Sequence, residues 1–243
     1  MKSLRGKYLA IFALVIALIA TGILMVLVNW SLIRYSQEVR SGMPADEDRA
    51  SLIDALLVLV TLLQVALGIT YIVLFLVWFY RAYKNLHVAG VDGLAHKAGW
   101  APGSFFVPIM NVVRPYRIMK EISSGSSFLL RGVKASSWKQ VEPSRLIAWW
   151  WGLFLFTAAL GRFASRLTLR AEELPQIITA ARVEIISDIA DIPAYLVTLL
   201  LVRSITLTQQ AALTAGSLPL ARANAQVGFG QTIRDTGGAE EVQ

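Results

Sequence analysis

Residues 8–33 read YLAIFALVIALIATGILMVLVNWSLI, and residues 52–80 read LIDALLVLVTLLQVALGITYIVLFLVWFY. The first run carries no charge, and the second carries only Asp54 near its start. A helix needs about 20 consecutive apolar residues to cross a hydrocarbon core about 30 Å thick. Both runs meet that length. Two weaker runs follow. Ile147 to Gly161 is short, but Phe163, Ala164 and Leu167 extend it, and residues 185–208 carry Asp188 and Asp191 early and Arg203 late. The expected fold is therefore all-α: a polytopic integral membrane protein with transmembrane helices over 8–33, 52–80, 147–167 and 185–208. These spans form one membrane domain, residues 1–208. The Ala-, Gly-, Gln- and Thr-rich stretch 209–243 is read as a flexible tail that begins as a frayed helix and ends disordered.

Composition agrees. Of 243 residues, 56% are hydrophobic and 16% charged, with a mean hydropathy of +0.57. Soluble domains carry about 25% charged residues, so a soluble enzyme is excluded, as are disorder and a collagen repeat. The chain has no cysteine. That excludes thiol catalysis, Cys-ligated zinc, iron–sulfur clusters and a lipoprotein anchor. At the N-terminus, Lys2, Arg5 and Lys7 precede an apolar run with a small-x-small site at Ala20-Thr21-Gly22. The run is longer than a signal-peptide h-region of about 7–15 residues, so it is read as an uncleaved span.

Basic residues set the orientation. The segment 34–51 has three Lys or Arg against four acids, whereas the loop 81–146 has ten against three. With the N-terminus and the long loop inside, and before the C-terminal tail is counted, thirteen basic residues lie inside against seven outside. Both termini are therefore expected on the cytoplasmic side. Tyr8, Trp78, Tyr80, Trp149, Trp150 and Trp151 fall at the inner interface, with Trp30 and Tyr35 at the outer one. The net charge of +7 is explained by this sorting and by anionic lipid, without a nucleic-acid partner.

Within the loop, Phe105 to Val113 is apolar, too short to span, broken by Pro108 and bracketed by Pro102 and Pro115. Proline removes a donor and does not sit in a helix interior. Irregular backbone at membrane depth survives only when buried in protein or lining a wet cavity. The segment is expected to lie at the inner interface or to be shallowly re-entrant. After Pro115 the pattern turns helical: Tyr116, Met119 and Ile122 recur on one face, and Arg114, Arg117 and Lys120 lie on another. A basic amphipathic helix of this kind reads as membrane-surface, which makes those three residues candidates for binding anionic lipid. A solvated face that merely obeys the positive-inside rule is the alternative.

Trp78-Phe79-Tyr80-Arg81-Ala82, Asn85-Leu86, Gly99-Trp100-Ala101-Pro102-Gly103, Phe106-Val107-Pro108-Ile109-Met110-Asn111 and Pro115-Tyr116 together resemble the signature of a bacterial membrane family, the domain of unknown function DUF4328. The resemblance implies a polytopic protein, usually of four helices, and implies no reaction. One departure is the charged connection from Arg162 to Glu184, longer than the simple hairpin expected, which leaves room for an extra contact outside. Within the matched block, Arg81 and Asn85 lie four apart and share a helix face. They are expected to pin the loop, with Trp100, Pro108 and Asn111 as its fixed points, by bonding its carbonyls.

The two histidines, His87 and His96, are nine apart, and helical metal sites need spacings of three or four. No metal site and no cofactor is expected. The serines at 104, 123, 124, 126 and 127 lack a nucleophile elbow or a paired histidine. Asp46, Glu47 and Asp48 fit a helix start, where acids complement the dipole.

Asp188 and Asp191 are the sharpest feature, because intramembrane acids are costly and call for a partner. Counting from Arg203 at 1.5 Å per residue, Asp191 lies about 18 Å and Asp188 about 22 Å from the inner edge. Arg162, counted from Arg145, lies about 25 Å up, with Arg166 one turn beyond. The preferred expectation is an ion pair locking the third span to the fourth. A proton or cation site facing a cavity is the alternative, and Gln64, Thr70 and Asn29 could complete either network. The expected function is non-enzymatic: an accessory or scaffolding subunit that binds a membrane partner and anionic lipid through its basic loop. A small oligomeric proton or cation channel or transporter using the intramembrane acids is the alternative.

Overall fold

The computed structural model describes residues 1–131 and 138–237, with side chains described for residues 1–130 and 138–215. It contains six α-helices in this part of the chain, and no strand among the described residues: α1 Arg5–Arg40, α2 Glu47–Val88, α3 Trp100–Gly103, α4 Met110–Arg131, α5 Leu146–Thr168 and α6 Leu174–Gly237. A short 3-10 turn, Trp138–Gln140, precedes α5. Four of the helices (α1, α2, α5 and α6) are long and apolar enough to cross a membrane. The most apolar stretch of α2 is almost wholly uncovered, with Val58, Leu59, Leu62, Val65 and Ile69 exposed. Leaving one such side chain in water forgoes roughly 1.5–3 kcal/mol. A row of them calls for lipid.

The helix ends follow local chemistry. At the end of α1, Gly42 takes φ 93° and the Met43 N–H donates to the Glu38 carbonyl at 3.2 Å. Gly90 ends α2 in the same way, with φ 73° and Val91 N–H donating to the Leu86 carbonyl at 3.1 Å. In both, glycine enters the left-handed region at no Cβ penalty and closes orphan carbonyls. Asp46 caps α2 by accepting from the Arg49 N–H at 3.0 Å, which confirms the acidic stretch as a helix start. The connection between α5 and α6 is only residues 169–173. The charged segment 162–184, which suggested an extra contact outside, is instead absorbed into the two helices.

α1 packs against both α2 and α6, and α5 packs against α6, whereas α2 barely touches α6. The bundle is thus a row, α2–α1–α6–α5, with a gap between its outer members. At the end that carries the N-terminus, α3 and α4 fill this gap. Phe105, between them, meets Phe75, Phe79, Trp151 and Phe154 edge to face. The main core lies at this end: Ile11 and Val15 of α1, Trp78 and Phe79 of α2, Ile118 and Met119 of α4, Trp150 of α5, and Leu201 and Ile205 of α6. α4 begins at Met110 and contains Pro115 in its interior, so the helix does not wait for that proline. Nor does α6 stop at Thr208. Gln209 and Ala212, placed in the tail by sequence, are buried on the continuing helix; residues 238–243 of that tail lie outside the described residues. At the opposite end only a small cluster, Ile33, Ile178 and Ala181, closes the packing. Between the two clusters the gap stays open.

Candidate functional site

The open half of the gap is a cleft lined by α1, α2, α5 and α6. It has two connected lobes of about 300 and 500 Å³ that share Gln64, Ser165, Glu184 and Asp188. Three half-buried carboxylates line it: Glu184, Asp188 and Asp191. At 100° per residue they fall within a 60° arc of α6 and span about 10 Å of its length. Asp188 Oδ1 accepts a long hydrogen bond of 3.5 Å from Gln64 Nε2, and its other oxygen, Oδ2, is buried with no partner. Thr168 Oγ1 donates to Glu184 Oε1 at 3.0 Å, and the Thr157 hydroxyl hydrogen-bonds Asp191. Asn29 lines the larger lobe, its amide donating to the Met25 carbonyl at 3.3 Å. Thr70 is exposed and bonds its own helix at Ala66.

Arg162 and Arg166 do not join this group. Both are exposed, and among the described residues the ion pair present is Arg49 with Glu38 at the α1–α2 turn. The reason is azimuth. α5 presents Thr157, Gly161, Ala164 and Thr168 toward α6: Ala164 is fully buried, and Gly161 faces Ser187. On a helix of 3.6 residues per turn, Arg162 and Arg166 then lie about 130° and 170° around from the middle of that face. The expected ion pair between α5 and α6 is absent among the described residues. Glu184 was missed because it was placed in the connection. Its spacing to Asp188 and Asp191, four and seven, is the signal that places all three on one face.

The loop residues resolve differently. Asn85 does not bond the proline-rich segment. Its Nδ2 donates to the Lys2 carbonyl at 2.9 Å and to Gln209 Oε1 at 2.8 Å, while its Oδ1 accepts from the Lys2 N–H at 2.8 Å. Arg81 and Asn85 share a face as expected, but that face lines a pocket with Lys2 and Lys84 rather than the loop. The loop is held by the aromatic ring of contacts around Phe105 and by Trp151, whose indole donates to the Val112 carbonyl at 2.9 Å. Trp100 receives the Arg114 guanidinium over its ring at 4.6 Å, and Lys120 sits over Tyr116 at 4.5 Å. Arg117, Pro108 and Asn111 are exposed. Among the described residues no group of three His, Asp or Glu side chains converges as a metal site.

No curated protein and no solved structure matches this chain. One family model does, over residues 41–207, from the turn between α1 and α2 through the acids of α6 to the inner core. That stretch is more than half of the chain and contains the loop motifs, the cleft acids and their α5 and α2 neighbours. The chain belongs to the family described as domain of unknown function DUF4328.

Proposed function

We propose that this is a multi-pass protein of the bacterial cytoplasmic membrane, with both termini inside, whose acid-lined cleft binds protons or a solvated cation from the outer side. The observation that supports it most is Asp188: a carboxylate on a membrane-spanning helix with one buried oxygen unpartnered, flanked by Glu184 and Asp191 on the same face. Ionisable groups at such depth are rare and mark ion pathways and proton relays. The competing explanation, a locking ion pair, needs an arginine that faces the acid. The carboxylates do not converge into a multidentate site, which favours a proton or a hydrated ion over a tightly held metal. Below Asp191, Tyr71 and Tyr195 meet edge to face at 5.7 Å above the aromatic core. Passage through one chain therefore requires that pair to part.

The test is flux into liposomes loaded with a pH-sensitive dye, with an inside-negative potential imposed. Wild type is expected to admit protons faster than Asp188→Asn, or sodium faster when a sodium-sensitive dye replaces the pH dye. Equal rates in the two proteins would remove this reading.

A second reading, an accessory subunit that engages the inner leaflet, is favoured by the tip of the loop. Phe106 and Ile109 are 74% and 86% exposed, and the cations Arg114, Arg117 and Lys120 follow within three turns. An apolar tip beside a basic helix suits insertion into an anionic leaflet. Purification in a lipid-preserving detergent with mass spectrometry of co-purifying proteins tests it: a stoichiometric partner supports the accessory role, and a pure preparation removes it.

A further inference from the structure

A pocket of about 440 Å³ lies where the N-terminal segment crosses the end of α2. Lys2, Arg81 and Lys84 are among the residues that line it, and no acid is. Among the described residues none of these three cations forms an ion pair. The arrangement is built rather than incidental. Arg81 and Lys84 are three apart on α2, one turn beyond Trp78, and so project to one side. Lys2 is brought to them by the paired backbone hydrogen bonds that Asn85 makes to its N–H and C=O. The Lys84 ammonium donates to the Tyr80 hydroxyl at 3.2 Å and lies 5.4 Å over its ring, which directs it back toward the apolar part of the helix. Three like charges held around one cavity repel one another, and an anion relieves that repulsion.

The surroundings identify the kind of anion. Val77 and Val73 follow Arg81 at intervals of four along α2, and both are exposed. A molecule with its negative group among Lys2, Arg81 and Lys84 and its chains against Val77 and Val73 is an anionic phospholipid. Basic pockets between membrane helices at this level take such headgroups. We infer that Lys2, Arg81 and Lys84 form a binding site for the phosphate of an anionic phospholipid at the end of the bundle that carries the N-terminal segment. The site is separate from the acid cleft and from the basic face of α4.

The experiment is thermal unfolding of the purified full chain in mild detergent, titrated with phosphatidylglycerol, phosphatidylcholine or inorganic phosphate. Phosphatidylglycerol is expected to raise the midpoint of wild type, with the two other additions without effect. Arg81→Gln/Lys84→Gln is expected to weaken the response by roughly thirtyfold in lipid concentration, the loss expected for two juxtamembrane cations. Arg81→Lys/Lys84→Arg, which keeps the charge, and Arg34→Gln, at an exposed position near the far end of α1, should respond like wild type. A neutral double variant that responds as wild type does would overturn the site. So would a loss shared equally by Arg34→Gln, or a phosphate response equal to that of phosphatidylglycerol, which would mean a free-anion site.

Discussion

Asn85 and Gln209 are 124 residues apart in the chain and meet side chain to side chain, Asn85 Nδ2 donating to Gln209 Oε1 at 2.8 Å. Gln209 in turn donates to the Ala82 carbonyl at 3.0 Å and to Ser126 Oγ at 2.9 Å. One buried amide pair thereby ties α2, α4 and α6 together, and through Lys2 it also ties in the N-terminal segment. Polar side chains between apolar helices act as directional glue, because no lipid or water competes for their bonds.

Replacing Gln209 by Leu removes the acceptor for Asn85 and the donor for Ser126 and Ala82. Each buried group left unpaired costs about 1–3 kcal/mol. Gln209→Leu should therefore lower the unfolding free energy in detergent by about that amount or more, measured by denaturant titration. Ser204→Ala, at an exposed position on the same helix, should stay within about 0.5 kcal/mol.

Gly125 lets α4 approach α2. A Cβ added there would sit 2.8 Å from Leu86 Cδ1, and Leu86 is fully buried. Gly125→Ala should destabilise by about 1–3 kcal/mol, as overpacking does. Shortening the neighbour relieves the clash, so Gly125→Ala/Leu86→Ala should lose less than the sum of the two single changes, although Leu86→Ala empties core volume by itself. A double variant weaker than the sum of the single changes would show that the two residues do not collide.

Arg162 points away from the acids, so neutralising it should do little. Arg162→Gln is expected to match wild type in thermal midpoint, whereas removing one partner of a true buried ion pair costs about 3–5 kcal/mol. A large loss in Arg162→Gln would mean that the pair forms after all.

Ile109 holds φ 66°, in the left-handed region, while 86% exposed. For a β-branched residue that conformation is a marked outlier, with a penalty of roughly 1–2 kcal/mol. Ile109→Gly should keep or raise stability by up to about 1 kcal/mol despite its looser unfolded chain. A clear loss of stability would mean that the isoleucine side chain packs against something.

Much of the fold was legible in the sequence, because the signals concerned are sums along the chain. Apolar run length marked four spanning helices, Asp46 marked the start of α2, and the DUF4328 motifs were readable as residues in order. Position along a helix follows from counting at a fixed rise per residue, which is why Asp188 and Asp191 could be put on one face of α6 from their spacing. Glu184 was lost only because the span was begun one residue after it. Gln209 was lost because apolar character ends near Thr208, although Leu201, Ile205 and Gln209 continue one stripe at intervals of four.

Direction around a helix axis is a different quantity. Which side of α5 meets α6 depends on how closely the backbones pack, and the small stripe of Thr157, Gly161, Ala164 and Thr168 wins that contact over the arginines beside it. The same competition sends Asn85 to Lys2 and Gln209 instead of to the loop. Hydropathy and spacing determined that this chain makes four spanning helices and how far along them each charge lies. Only the tertiary structure decided which charges face one another, because azimuth is set by pairwise packing between helices that no single helix encodes.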